Sequence, residues 1–162
     1  MAHFFLVEFS VAYWLMKSEP DVFSIDDLKA RRVAEWDGVR NYQVRNLMRD
    51  DMAVGDLAFF YHSSCEVPGI VGIMKITKTG LVDPTALDPT HAQFDPKSDP
   101  QNPRWMMVEV RYQQHLRPMI PLERLKREQR ALGDLWVLRP GNRLSIVPVS
   151  SAQWHKILSF TP

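Results

Sequence analysis

Five prolines, Pro84, Pro89, Pro96, Pro100 and Pro103, fall within the stretch from Asp83 to Pro103. Each removes a ladder donor and pushes its predecessor away from helix, so this stretch is expected to be an irregular loop or a series of short turns. Regular structure must then be built on either side of it. A loop of that length inside a compact domain tends to be functional or mobile. The 162 residues suit a single domain. A chain of that size buries about two thirds of its unfolded surface, enough for a core without staples.

Upstream of the loop, Tyr13-Trp14-Leu15-Met16-Lys17 reads as a short strand stopped by Ser18-Glu19-Pro20-Asp21. Ser24, three residues before Asp27, gives a capping-box start to a helix running to about Val33. Asn41 is placed to cap a second helix with Val44, Leu47 and Met48 on one face. Asp56–His62 and Gly69–Thr77 have strand character, joined by a hairpin-like connection from Ser63 to Pro68. Gly72 marks a bulge or a close backbone approach.

Downstream, Trp105–Tyr112 alternates as a strand, Pro121 opens a short helix at its first position, and Arg143–Val149 is a late strand. Ser150 or Ser151 caps a last helix carrying Trp154, Ile157 and Leu158. Strands mixed with short helices, without regular βαβ spacing, predict an α+β fold with a small curled or barrel-like sheet.

Hydrophobic residues at 45% and charged residues at 24% exclude disordered, collagen-like and coiled-coil classes. The single cysteine, Cys65, excludes an intrachain disulfide and a multi-cysteine zinc site, and fits a reducing compartment. The start, Met1 to Val11, is apolar but has no Lys or Arg and is interrupted by Glu8, unlike a secretory signal. No apolar run reaches the ~18–20 residues of a membrane helix. The expectation is a cytoplasmic protein, or a nuclear one in a eukaryote, without a membrane partner and monomeric. The net charge of +1 hides an asymmetry, because residues 104–162 carry ten Lys and Arg against four Asp and Glu. A basic half can attract phosphate, although charges distant in sequence also intermix on a folded surface.

Most catalytic and cofactor patterns are missing. The histidines His3, His62, His91, His115 and His155 are scattered, and His91 with Asp95 and Asp99 is the one acidic–histidine cluster, so no metal is expected. His62-Ser63-Ser64-Cys65-Glu66 gathers a base, hydroxyls and a thiol, but neighbours on a strand point to opposite faces and no nucleophile elbow is present. No phosphate-cradling glycine motif occurs, and no cofactor is expected.

The stretch Trp36-Asp37-Gly38-Val39-Arg40-Asn41-Tyr42-Gln43-Val44-Arg45-Asn46 is more informative. Aromatic faces can stack on a base, amides can read its edge, and arginines can hold phosphate. Arg40, Arg45 and Arg49 have no acid among residues 38–49. The same residues would also serve as core aromatics beside a solvated helix face.

Taken in order, Tyr13-Trp14-Leu15-Met16-Lys17-Ser18-Glu19-Pro20 and Trp36-Asp37-Gly38-Val39-Arg40-Asn41-Tyr42-Gln43 closely resemble the EVE domain. Phe59-Phe60-Tyr61-His62-Ser63, Pro68-Gly69-Ile70-Val71-Gly72, Phe94-Asp95-Pro96-Lys97-Ser98, Pro103-Arg104-Trp105 and Arg143-Leu144-Ser145 continue the match in register. The resemblance covers about residues 13–158 and sets the domain at 13–160, with residues 1–12 as an N-terminal extension that relatives usually lack.

It implies a PUA-like fold, a small β-barrel flanked by short helices, related to ASCH and YTH domains. It also implies a non-catalytic reader of a modified base in DNA or RNA, with modified cytosine in DNA as the leading candidate, bound by base flipping in an aromatic pocket. Carried over residue by residue, the pocket would comprise Lys17, Ser18, Glu19, Trp36, Val39, Asn41, Tyr42, Tyr61, His62, Ser63 and Ser145. Lys17, Arg40, Arg45, Lys97 and Arg143 would hold phosphate. The alternatives are an enzyme acting on a nucleobase or nucleotide, with His62, Glu19 or Asp37 moving protons, and a small-molecule-binding domain.

Overall fold

The computed structural model describes residues 10–162. The extension expected at residues 1–12 therefore lies outside the described residues except for its last three. Among the described residues six strands form one mixed sheet in the order β2-β5-β4-β3-β1-β6. They are β1 (Tyr13–Ser18), β2 (Val33–Trp36), β3 (Leu57–His62), β4 (Gly69–Val82), β5 (Met106–Pro121) and β6 (Ile146–Val149). β1 and β3 run parallel, with Tyr13 opposite Leu57 and Ser18 opposite His62. The other pairings are antiparallel.

Successive strand residues face opposite sides of a sheet, and here both sides are covered. Trp14, Met16, Ala58, Phe60, Met74 and Ile76 pack on one face with Ile25 and Leu28 of α1 (Ile25–Arg31) and Val44 of α2 (Tyr42–Asn46). Leu15, Phe59, Tyr61, Ile70 and Val147 pack on the other with Leu125 of α3 (Leu122–Arg127), Leu132 of α4 (Gln129–Leu132), and Trp154 and Ile157 of α5 (Ser151–Leu158). Double burial explains why Leu57–Tyr61 is apolar throughout instead of alternating. The buried Asp56 carboxylate ties the start of β1 to the start of β3. It accepts the Trp14 indole N–H at 2.9 Å and the backbone N–H groups of Ala53 and Ala12 at 2.9 and 3.2 Å.

The α+β class holds, but among the described residues the sheet does not close into a barrel. Closure would need a ladder between the end strands β2 and β6. Each has four residues and a single partner, β5 and β1 respectively. The sheet bends instead at register shifts in the β4–β5 pairing, including one between Ile70 and Gly72. A Cβ on Gly72 would stand 2.5 Å from the Gln114 carbonyl oxygen, so this glycine does mark a close backbone approach.

Local signals also hold at the helix starts. Ser24 and Ser150 form capping boxes with Asp27 and Gln153, and Asn41 accepts the Val44 N–H at 3.0 Å. α2 continues into a π-helical turn over Leu47–Asp51. Pro121 stands one place earlier than expected, at the cap of α3 and not inside it. The proline-rich stretch is irregular apart from one 3-10 turn at Pro84–Ala86 and an isolated bridge between Asp99 and Asn102. Among the described residues no helix is long and apolar enough to cross a membrane.

Candidate functional site

At the ends of β1 and β2 the surface opens into a cleft of about 300 Å³. Lys17 and Ser18 of β1, Val22 and Phe23 of the following turn, Arg31 of α1, Glu35 and Trp36 of β2, and Asp37 line it. The turn is folded by Glu19, whose carbonyl accepts the N–H groups of Val22 and Phe23 at 3.0 and 2.9 Å. Ser18 donates its hydroxyl to the Phe23 carbonyl at 2.6 Å. These bonds hold the Phe23 ring edge-on to the Trp36 indole, with centroids 6.4 Å apart and planes at 82°. Phe60 supports the same indole from the core at 5.5 Å and 79°. Trp36 is only 8% exposed, so it is at once a core residue and a wall of the cleft.

The polar groups around this wall are of both signs. Lys17 is half-buried, and desolvation pulls its ammonium pKa below the usual lysine value. Burial, reinforced by the nearby Asp83 carboxylate, pushes the Asp37 carboxyl above the ordinary aspartate range. Lys17 and Arg31 offer donors, Glu35 and Asp37 offer acceptors, and the Ser18 oxygen, whose proton goes to the Phe23 carbonyl, offers a further acceptor. The arrangement can hold a flat polar ring against an aromatic wall and satisfy a mixed donor–acceptor edge.

The chain leaves the cleft through a connection locked from below. Gly38, at φ +76°, donates its N–H to Asp83 Oδ2 at 2.8 Å. Arg40 donates to the Val39 carbonyl, Asp83 Oδ2 and Thr85 Oγ1 at 2.8, 2.9 and 3.0 Å, and to the Gln93 carbonyl from both Nε and Nη2 at 3.0 and 2.7 Å. Burial pushes the Asp83 carboxyl up, but the bonds from Thr85, Arg40 and Gly38 outweigh it and hold it below the ordinary range.

The structure distributes the sequence-derived site residues unevenly. Lys17, Ser18 and Trp36 share the cleft, and Glu19 contributes its carbonyl to the adjoining turn. Ser145 and Ser63 flank it through the backbone. The Ser145 carbonyl accepts the Lys17 N–H at 2.8 Å, and the Ser63 N–H donates to the Ser18 carbonyl at 3.0 Å.

Five of the expected residues are engaged within the fold. Val39 is buried in the core. The Asn41 side chain is used as a helix cap. Tyr61 lies on the opposite face of the sheet, where burial pushes its hydroxyl up to about 12. His62 Nε2 accepts the Ile25 N–H at 3.1 Å. All five N–H groups of Arg40 are satisfied inside the protein, leaving none for phosphate.

Tyr42 is 51% exposed and stacks on Trp105, with centroids 4.8 Å apart and planes at 29°, outside the Trp36 cleft. Arg45 and Lys97 line a recess beside Tyr42. Arg143 is exposed in a third recess with Gln43, Trp136 and Arg139. The sequence reading missed Val22, Phe23, Arg31 and Glu35 as lining residues. The signal for one of them, Glu35, was the alternation Val33-Ala34-Glu35-Trp36, too short to register as a strand beside the helix before it.

Residues 12–160 match the EVE domain family. The chain belongs to that family. Thymocyte nuclear protein 1 of Danio rerio is 44% identical over 168 residues, covering 93% of this chain and 72% of that protein. A crystal structure of a Pseudomonas syringae protein superposes with a TM-score of 0.88 at 49% identity, over 92% of this EVE domain chain and 99% of the other. The crystal structure of human THYN1 in complex with 5-methylcytosine-containing DNA has a TM-score of 0.87 and 42% identity, over 92% and 96% of the two chains.

Proposed function

We propose that this EVE domain is a non-catalytic nucleic-acid-binding module, acting as a monomer. In this reading it takes a flipped modified base, a modified cytosine in DNA first, into the cleft lined by Phe23 and Trp36. The observation that carries the reading is the pairing of an aromatic wall with ionisable groups of both signs in one cleft of about 300 Å³. The DNA complex of its human relative supports the choice of ligand class.

Cytosine presents an amino donor at N4 and acceptors at N3 and O2. Carboxylates accept from such an amino group, and here Asp37 and Glu35 are placed to do so. Lys17 complements the acceptors. A flipped base gives up a few kcal/mol of stacking and pairing, which contact with an aromatic wall offsets.

The test places 2-aminopurine beside a single 5-methylcytosine in an oligonucleotide duplex and titrates the protein. Extrusion of the target unstacks its neighbour and raises the 2-aminopurine fluorescence, and Lys17→Met lowers both that rise and the affinity. Binding without any rise would assign the contact to the duplex exterior and overturn base capture. Chromatography of the same mixture after incubation should return the oligonucleotide unchanged, and a new product would make the domain an enzyme.

A further inference from the structure

A recess of about 410 Å³ lies between α2 with its π-helical extension and the 97–104 segment of the proline-rich loop. Arg45, Arg49, Lys97 and Arg104 line it, and Asp99 is the one carboxylate among its lining residues. Arg49 is neutralised by its neighbour, donating to both oxygens of Asp50 at 2.7 and 2.9 Å. Arg104 stands 4.0 Å from Asp95. Among the described residues, Arg45 and Lys97 make no ion pair.

Solvated surface cations are usually free to move, whereas the Arg45 guanidinium is held. Asn46 Oδ1 accepts from Nε and Nη2 of Arg45 at 3.1 and 2.8 Å, and the Arg104 carbonyl accepts from Nη1 at 3.2 Å. The Arg45 guanidinium also lies 4.8 Å from the Tyr42 ring centroid and 5.9 Å from that of Trp105. Three of its five N–H groups are used in this way, which fixes the direction of the remaining two. Trp105 is pinned in turn, its indole N–H donating to Asp95 Oδ2 at 2.7 Å. The other oxygen of Asp95 accepts the Lys97 N–H at 3.0 Å. One carboxylate thus orders the Trp105 ring and the turn that carries Lys97.

We propose that this recess is a preorganised clamp for the phosphodiester backbone of a nucleic acid, with Arg45, Lys97 and Arg104 as the contacting cations and the exposed Tyr42 face beside them. The proposal deepens the nucleic-acid reading above and rests on it. A diester carries one negative charge per phosphate, which the unpaired Arg45 and Lys97, together with Arg104 at 4.0 Å from Asp95 and opposed by Asp99, can match at successive positions. Preset guanidinium geometry lowers the entropy lost on binding and favours planar, two-point contact with phosphate oxygens. A backbone contact carries no sequence information and sets only position and affinity.

The test measures the affinity of the full chain for 5-methylcytosine and plain-cytosine duplexes across a salt series. It compares wild type with Arg45→Gln, Lys97→Gln, Arg104→Gln, Arg45→Lys and Arg49→Gln, each confirmed as folded by its urea midpoint. Each of the first three should weaken both duplexes equally. Each should also make the log–log salt slope shallower by about 0.7–0.9, or about threefold in affinity for a fourfold change of salt. Arg45→Lys should keep the wild-type slope, and so should Arg49→Gln, whose charge is already matched.

Unchanged slopes in the first three variants would overturn the clamp while a wild-type preference for the methylated duplex left the base reading standing. Responsive slopes with no such preference would uphold the clamp and remove the base reading. No binding by wild type at any salt would remove both.

Discussion

His62, at the end of β3, accepts the backbone N–H of Ile25, the first residue of α1, through its Nε2 at 3.1 Å. An imidazole used this way carries its proton on Nδ1 and loses the bond once Nε2 is protonated. Burial lowers the His62 pKa below the ordinary 6.5. Asp26 pulls the other way, and the His115 ring adds to the lowering.

A first prediction follows by linkage. Between the lowered folded pKa and about 6.5 the unfolded chain binds a proton that the folded chain refuses, so stability rises with pH there. Stability is complete above that window and is lost as pH falls through it. Urea unfolding midpoints measured from about pH 5 to pH 8 should fall on the acid side in wild type, and less so in His62→Gln. Identical pH profiles for the two proteins would show that His62 titrates normally and that its bond to Ile25 is incidental.

The second prediction concerns Trp36, which the family resemblance assigns to the pocket. Its ring meets Phe60 and Phe23 edge-on within the core. Trp36→Ala should therefore cost about 3–5 kcal/mol of stability before any ligand is considered. Chemical denaturation would reveal it as a large drop in midpoint at constant slope. A variant as stable as wild type would mean that the indole is a ligand wall and little more. Base recognition is better probed at Lys17, Glu35 or Asp37, which line the cleft outside the hydrophobic core.

What the sequence made legible is the part governed by local rules. The caps at Ser24, Asn41 and Ser150, the strands around Leu15 and Phe59, and the irregular proline segment all follow from side-chain chemistry within a few residues. β2 was hidden because four residues give too short a pattern, and the helix before it ends at Arg31 with little warning. The division of Trp36 and Tyr42 between two recesses was hidden for another reason. It depends on Asp83, dozens of residues away, taking up Gly38 and Arg40. The family resemblance named residues that the fold spreads over several recesses, and the long-range hydrogen bonds that tie Arg40 to Asp83 and His62 to Ile25 lie beyond any local pattern.

Gly72 supplies a third prediction. It sits at the bulge where β4 meets β5, and an added methyl would stand 2.5 Å from the Gln114 carbonyl and 2.8 Å from Ile25 Cδ1. The first of these is backbone and cannot swing aside. Gly72→Ala should destabilise by roughly 1–3 kcal/mol through overpacking. It should also disturb the seat of α1 next to the cleft, which calorimetry together with near-UV circular dichroism would detect. Unaltered thermal stability would mean that the two strands part more readily than their ladder suggests.

The last prediction sets the size of discrimination between 5-methylcytosine and cytosine. The two bases share the same hydrogen-bonding edge, so the donors and acceptors at Lys17, Glu35 and Asp37 contribute equally to both and cancel in the ratio. What remains is one methyl group moved from water to an apolar wall, about 0.8 kcal/mol, or about a fourfold preference. Phosphate contacts cancel in the same way, so the ratio should stay constant across a salt series while both dissociation constants rise. Competition binding with duplexes that differ only in that methyl measures it directly. A ratio near one would remove the methyl from the Phe23–Trp36 wall. A ratio above about a hundred would exceed what a methyl can supply in an apolar pocket and would require a site that actively penalises the plain base.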